Sequence, residues 1–96
     1  MTAAEFLLAF PTTEVDHCTG GNCSAWRIKL RKGFEILLTT ADDDDGCTQP
    51  ELDTRLVCLS VYDPSGDKVD FEDERALRWP DVARIVRDFV ERGVPE

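Results

Sequence analysis

The sequence predicts an α+β domain: a small antiparallel sheet of three to four strands with a C-terminal helix packed on one face, preceded by a short N-terminal helix. Three observations carry that expectation. Trp26, Ile28 and Leu30 alternate with Arg27, Lys29 and Arg31, and Phe34, Ile36 and Leu38 resume the alternation after Lys32-Gly33, the two-residue period of a hairpin with one buried face. Val82, Ile85, Val86, Phe89 and Val90 recur at three- and four-residue spacing, the stripe of an amphipathic helix. The chain has 96 residues, 42% of them hydrophobic, enough for one core and one domain spanning 1–96.

Taken in order, Thr2 with Glu5 three residues later fits a capping box, and Phe6-Leu7-Leu8-Ala9-Phe10 follow before Pro11. A helix stopped at the proline is favoured. The alternation of Phe6, Leu8 and Phe10 fits a strand as well. Residues 12–24 read as loop, because Thr12-Thr13 and His17 to Ser24 are polar and glycine-containing. The hairpin comes next, with its basic outer face of Arg27, Lys29, Arg31 and Lys32.

Asp42 to Pro50 is loop by composition. A third strand is expected from about Arg55 to Tyr62. Its apolar run of Leu56, Val57, Cys58, Leu59 and Val61 suggests a central strand covered on both faces. Asp63-Pro64-Ser65-Gly66 is a turn, and Lys68 to Phe71 a short edge strand. Residues 72–78 read as charged and irregular. Pro80 suits the first position of the last helix and Asp81 the positive end in its first turn, while Gly93 and Pro95 end it. Trp26 is expected in the core. Trp79 is expected to staple the start of the helix, with an exposed contact residue as the alternative.

Charge narrows the functional classes. Twenty acids face eleven Lys and Arg, a formal net charge of −9. Such a field repels nucleic acid and anionic membrane and attracts basic surfaces. The imbalance is local: Asp42, Asp43, Asp44, Asp45, Glu51 and Asp53 fall within 41–54 with no base among them, and Glu72, Asp73 and Glu74 are adjacent. One reading makes these carboxylates a solvated loop that keeps the protein soluble. The other makes them a docking surface for Lys and Arg of a partner. In an extended chain, carboxylates on one side repeat at roughly twice ~3.3 Å, near the spacing of every second phosphate on a strand.

Other chemistries fit poorly. Placing Gly46 sixth in a calcium loop puts Ala41 first and Leu52 twelfth, and neither is a ligand. His17, Cys18, Cys23 and Cys47 offer a nitrogen and three sulfurs to zinc, but the spacing after Cys23 leaves Cys47 without a paired ligand. A disulfide joining Cys18 to Cys23 or Cys47 is a further alternative. Cys58 reads as a small buried hydrophobe. Thr19-Gly20-Gly21-Asn22 lacks the lysine of a phosphate loop. One histidine, beside Cys18 in an extended segment where neighbours point apart, makes no dyad. We therefore expect no enzyme and no cofactor.

The N-terminus shows neither a basic leader region nor a long apolar run, so a cytoplasmic location with mostly reduced thiols is expected. The functional expectation is a small acidic inhibitor or regulator. It would engage a protein with a basic surface, such as a nucleic-acid-processing complex, without touching nucleic acid or membrane itself. Anti-CRISPR proteins and DNA mimics of phage and mobile elements are of this type in size and charge; no motif matches them. The alternatives are an immunity protein or antitoxin that neutralises a basic toxin, a zinc-stabilised module built on His17, Cys18, Cys23 and Cys47, and a structural component pairing through its sheet edge.

Overall fold

The computed structural model describes residues 1–41, 48–70 and 75–94. Its elements run α1 (Ala3–Ala9), β1 (Glu14–Gly20), β2 (Cys23–Lys29), a 3-10 turn (Arg31–Gly33), β3 (Glu35–Thr40), β4 (Val57–Tyr62), β5 (Lys68–Val69) and α2 (Trp79–Arg92). The five strands form one antiparallel sheet in sequence order, β1-β2-β3-β4-β5.

The capping box settles α1 as a helix. Glu5 N–H donates to Thr2 Oγ1 at 3.2 Å, and Thr2 N–H donates to Glu5 Oε1 at 3.0 Å. Two amides that a first turn leaves unpaired are thereby satisfied. Only one side of so short a helix reaches the core: Ala3 and Phe6 are buried and Leu8 is 81% exposed. That is helical spacing; a strand would have put Phe6 and Leu8 on one face.

Residues 14–20, expected as loop, are a strand, and the sheet accordingly has five strands. β1 pairs with β2 through Glu14↔Arg27, His17↔Ala25, Cys18↔Ser24 and Gly20↔Cys23, with two register irregularities. The glycines that read as loop include the hairpin turn itself: Gly21 and Asn22 bridge the Gly20↔Cys23 pair, with Gly21 at φ 56°. β1 escapes a pattern-based reading because it is exposed almost throughout; backbone bonding to one neighbour holds it, and no apolar alternation marks it. At its bulge, Asp16 takes φ 59°. There Asp16 N–H donates to Gln49 Oε1 at 2.8 Å and Gln49 Nε2 donates back to Asp16 Oδ1, tying the segment before β4 to the sheet edge.

The β2–β3 hairpin forms as its alternation predicts, with Trp26↔Leu38 and Ile28↔Ile36 facing the core. Lys32 and Gly33 turn with φ of 63° and 84°. β4 departs from expectation. It lies second from the edge, between β3 and the two-residue β5, and buries only alternate residues. Val57, Leu59 and Val61 are fully buried; Cys58, expected inside, is half-buried on the opposite face beside Thr39. An apolar run promised two covered faces, but both helices lie on one side. Asp63 organises the next turn, its Oδ1 accepting from Ser65 N–H and Asp67 N–H at 2.9 Å each. β5 comprises Lys68 and Val69; Phe71, the expected end of that strand, lies outside the described residues.

α2 places Trp79, Val82, Ala83, Ile85, Val86 and Phe89 in the core, the expected stripe except that Val90 is 45% exposed. Gly93 at φ 84° ends the helix, its N–H reaching Phe89 O at 2.9 Å; Pro95 lies outside the described residues. The two helices and β2 meet in an aromatic cluster. Phe6 and Trp79 ring centroids are 5.1 Å apart, and those of Trp26 and Trp79 are 5.5 Å apart. Both tryptophans are 3% exposed, so Trp79 is a core residue at the helix start. Among the described residues, no helix is long and apolar enough to cross a membrane.

Candidate functional site

Sequence order places Glu51 and Asp53 four residues or more before β4, and the fold fixes the turn that carries them. Glu51 N–H donates to Thr54 Oγ1 at 2.8 Å, and Thr54 N–H returns to Glu51 O at 3.0 Å. The Thr54 carbonyl in turn accepts from Trp79 Nε1 at 2.7 Å, a buried bond. Thr54 is 8% exposed and links the turn to the aromatic cluster. Glu51, Leu52 and Asp53 are thus displayed to solvent on a rigid mount. Neither carboxylate forms an ion pair with a described residue.

Of the other acidic candidates, Asp42, Asp43, Asp44, Asp45, Glu72, Asp73 and Glu74 lie outside the described residues. Thr40 N–H donates to Thr48 O at 2.8 Å and Ala41 N–H to Leu56 O at 2.9 Å, which ties Thr48 and Leu56 to the end of β3. Leu77 bridges to Val57 through reciprocal backbone bonds of 2.8 and 2.9 Å.

The basic strand face is occupied from within. Arg27 Nε lies 2.7 Å from Glu35 Oε2, and Arg27 Nη1 lies 3.7 Å from Glu14 Oε2. Lys29 Nζ is 3.9 Å from Glu14 Oε1. The first contact is ionic: Arg27 Nε is buried but is not aligned as a hydrogen-bond donor. These partners are on the adjacent strands β1 and β3, where cross-strand register puts them. Arg31 is committed elsewhere. Its Nη2 donates to Val90 O at 3.0 Å and Glu91 O at 2.8 Å, satisfying carbonyls that the end of α2 leaves open.

The cysteines and histidine do not assemble into a centre. Cys18 and Cys58 are free thiols, Cys18 exposed and Cys58 half-buried, whereas Cys23 is disulfide-bonded. A bonded sulfur offers no thiolate, so the ligand set His17, Cys18, Cys23 and Cys47 loses a member, and Cys47 lies outside the described residues. The expected disulfide joining Cys18 to Cys23 or Cys47 is corrected: Cys18 is a free thiol, and the pairing register sets it against Ser24. The expectation of mostly reduced thiols fails at Cys23. Among the described residues, no three His, Cys, Asp or Glu are grouped to hold a metal.

Sequence reasoning missed an open groove of about 910 Å³ between the N-terminal ends of α1 and α2 and the 52–56 segment. Its lining includes Leu52, Leu56 and Trp79, with Asp53, Arg55 and Arg78. No local pattern marks it, because its three walls come from separate parts of the chain. No protein-family model, characterised protein or solved structure matches this chain.

Proposed function

We propose that the protein is a small acidic inhibitor or regulator that docks on a basic protein surface, such as the nucleic-acid groove of a processing complex. The observation that carries this reading is the mounting of Glu51 and Asp53: exposed carboxylates, unpaired among the described residues, on a turn hydrogen-bonded to the core. Carboxylates held in place lose little conformational freedom on binding. Supporting it, the acids of 41–54 have no base within their own segment, while Arg27 and Lys29 are engaged by Glu14 and Glu35. The strand face is therefore a poor competitor for anions, and the excess negative charge faces outward to a cationic partner.

The compartment belongs to the proposal too. We place its action in the cytoplasm as part of the same reading; in that reducing milieu the bond at Cys23 opens to a thiol. Thiol trapping in intact cells reads this directly, and a bond found intact there moves the protein to an oxidising compartment.

The experiment that tests the function is capture of partners on the tagged protein, eluted by a salt gradient and identified by mass spectrometry. A basic nucleic-acid-handling protein released at moderate salt is the expected result, since largely ionic contacts weaken as salt screens them. Replacing Asp42, Asp43, Asp44 and Asp45 by Asn, and separately Glu51→Gln with Asp53→Asn, should weaken capture while leaving the melting temperature unchanged. A partner retained undiminished by both variants overturns the reading.

A further inference from the structure

The groove at the helix ends has a chemistry opposite to that of the chain as a whole. Twenty acids surround eleven Lys and Arg in this sequence, so a base has ample carboxylates with which to pair. Yet the guanidinium groups of Arg55 and Arg78, both exposed and both lining the groove, make no ion pair or hydrogen bond with any described residue. Between them the surface is apolar. Leu52 is 68% exposed on the rim, and Leu56 and Trp79 form part of the wall. Among the described residues that line it, Asp53 is the one acid against two arginines.

We infer that this groove receives an acidic peptide segment of a partner protein, with an apolar side chain seated over Leu52 and Leu56 beside the buried Trp79 and carboxylates held by Arg55 and Arg78. The complementarity is specific in form. A guanidinium presents a planar fork that matches a carboxylate with two parallel hydrogen bonds. An apolar centre bordered by charged groups is the layout of a binding hot spot. The mount is rigid, because the Trp79 indole N–H is held by the Thr54 carbonyl at 2.7 Å and Thr54 fixes the turn bearing Leu52. A basic segment is disfavoured in the same place by the two arginines. The inference uses Arg55 and Arg78, which the proposed docking to a basic partner does not; the two readings share the turn that carries Asp53.

The Trp79 indole N–H gives a resonance at the site, and that of Trp26 is an internal folding control. Titrations followed by proton–nitrogen NMR would use three probes: an end-blocked hexapeptide alternating glutamate and leucine, its lysine–leucine counterpart, and inorganic phosphate. The acidic peptide should shift the Trp79 resonance saturably and bind at least about tenfold more tightly than the lysine peptide. Arg55→Gln with Arg78→Gln should remove that preference with the Trp26 resonance unmoved, and without weakening capture of a basic partner. Equal binding of both peptides, no saturation below about 1 mM, or a phosphate response that competes fully with the peptide would each overturn the inference. The last would make the arginines a small-anion site. Loss of peptide binding with capture intact, or the reverse, separates this inference from the proposed function.

Discussion

Single residues in this fold act mostly by closing the ends of elements. Arg31 stands in the turn after β2, yet its guanidinium finishes the last turn of α2 some sixty residues away, donating to Val90 O and Glu91 O. Arg31→Met keeps the stem and removes both donors; a loss of about 1 kcal/mol is expected from urea unfolding. Gly33 is the stricter position. Its φ is 84°, and an added Cβ would stand 3.1 Å from Pro64 Cβ and Cγ, where the β2–β3 turn abuts the β4–β5 turn. Gly33→Ala is expected to cost about 1–2 kcal/mol, through left-handed strain and displacement of the proline ring. Asn at the same place, which tolerates the left-handed region better, should differ little from Ala if the Pro64 contact dominates and recover part of the loss if the backbone does. Trp79 joins two roles. Trp79→Phe keeps the aromatic cluster but leaves the buried Thr54 carbonyl without its donor, a loss of about 1–3 kcal/mol, and it loosens the turn that carries Glu51, Leu52 and Asp53.

At the scale of elements, the sheet divides into a core and an edge held by different forces. β2, β3 and β4 press Trp26, Ile28, Ile36, Leu38, Val57, Leu59 and Val61 against the helices, so apolar burial secures them. β1 buries almost nothing and hangs on backbone bonds to β2. Hydrogen exchange should accordingly be fast along 14–20 and slow in β3. The disulfide at Cys23 sits where β2 leaves this hairpin turn. Reduction should lower stability by about 2–4 kcal/mol, read as a fall in the thermal midpoint. Cys23→Ser should show the lowered midpoint without reductant and no further response to it, while Cys18→Ser, which removes a free exposed thiol, should behave as the parent in both conditions.

Across the whole molecule, charge is unbalanced but not uniformly spread. The open face of the sheet pairs its own charges, Arg27 and Lys29 with Glu14 and Glu35. Acids dominate 41–54, and the helix-end groove keeps two unpaired arginines. With a net charge of −9, self-repulsion opposes the compact state. Raising ionic strength from about 0.01 to about 0.15 M shortens the Debye length from ~30 to ~8 Å, so the thermal midpoint should rise over that range. The exposed ion pairs pull the other way but contribute little each. A midpoint that falls with salt would mean that the pairs on the sheet face outweigh the repulsion.

What the sequence determined by itself is whatever local periodicity and chain-adjacent chemistry encode. The stripe of α2, the alternation of β2 and β3, the Thr2–Glu5 capping box and the Asp63–Gly66 turn each lie within a few residues, so the pattern and the structure coincide. The acidic excess was equally legible, because composition is one-dimensional. Tertiary structure alone decided the rest. β1 is a strand because β2 offers its backbone, a partner that no residue of 14–20 announces. Cys58 faces outward because both helices settled on the other side of β4. Arg27 meets Glu14 and Glu35 through strand register, Arg31 meets α2 through the turn of a hairpin, and Trp79 meets Thr54 across 25 positions. The groove with Arg55 and Arg78 exists only because two helix starts and the 52–56 segment converge. Such contacts arise between residues distant in the chain, where packing and hydrogen-bond satisfaction, rather than local preference, set the free energy.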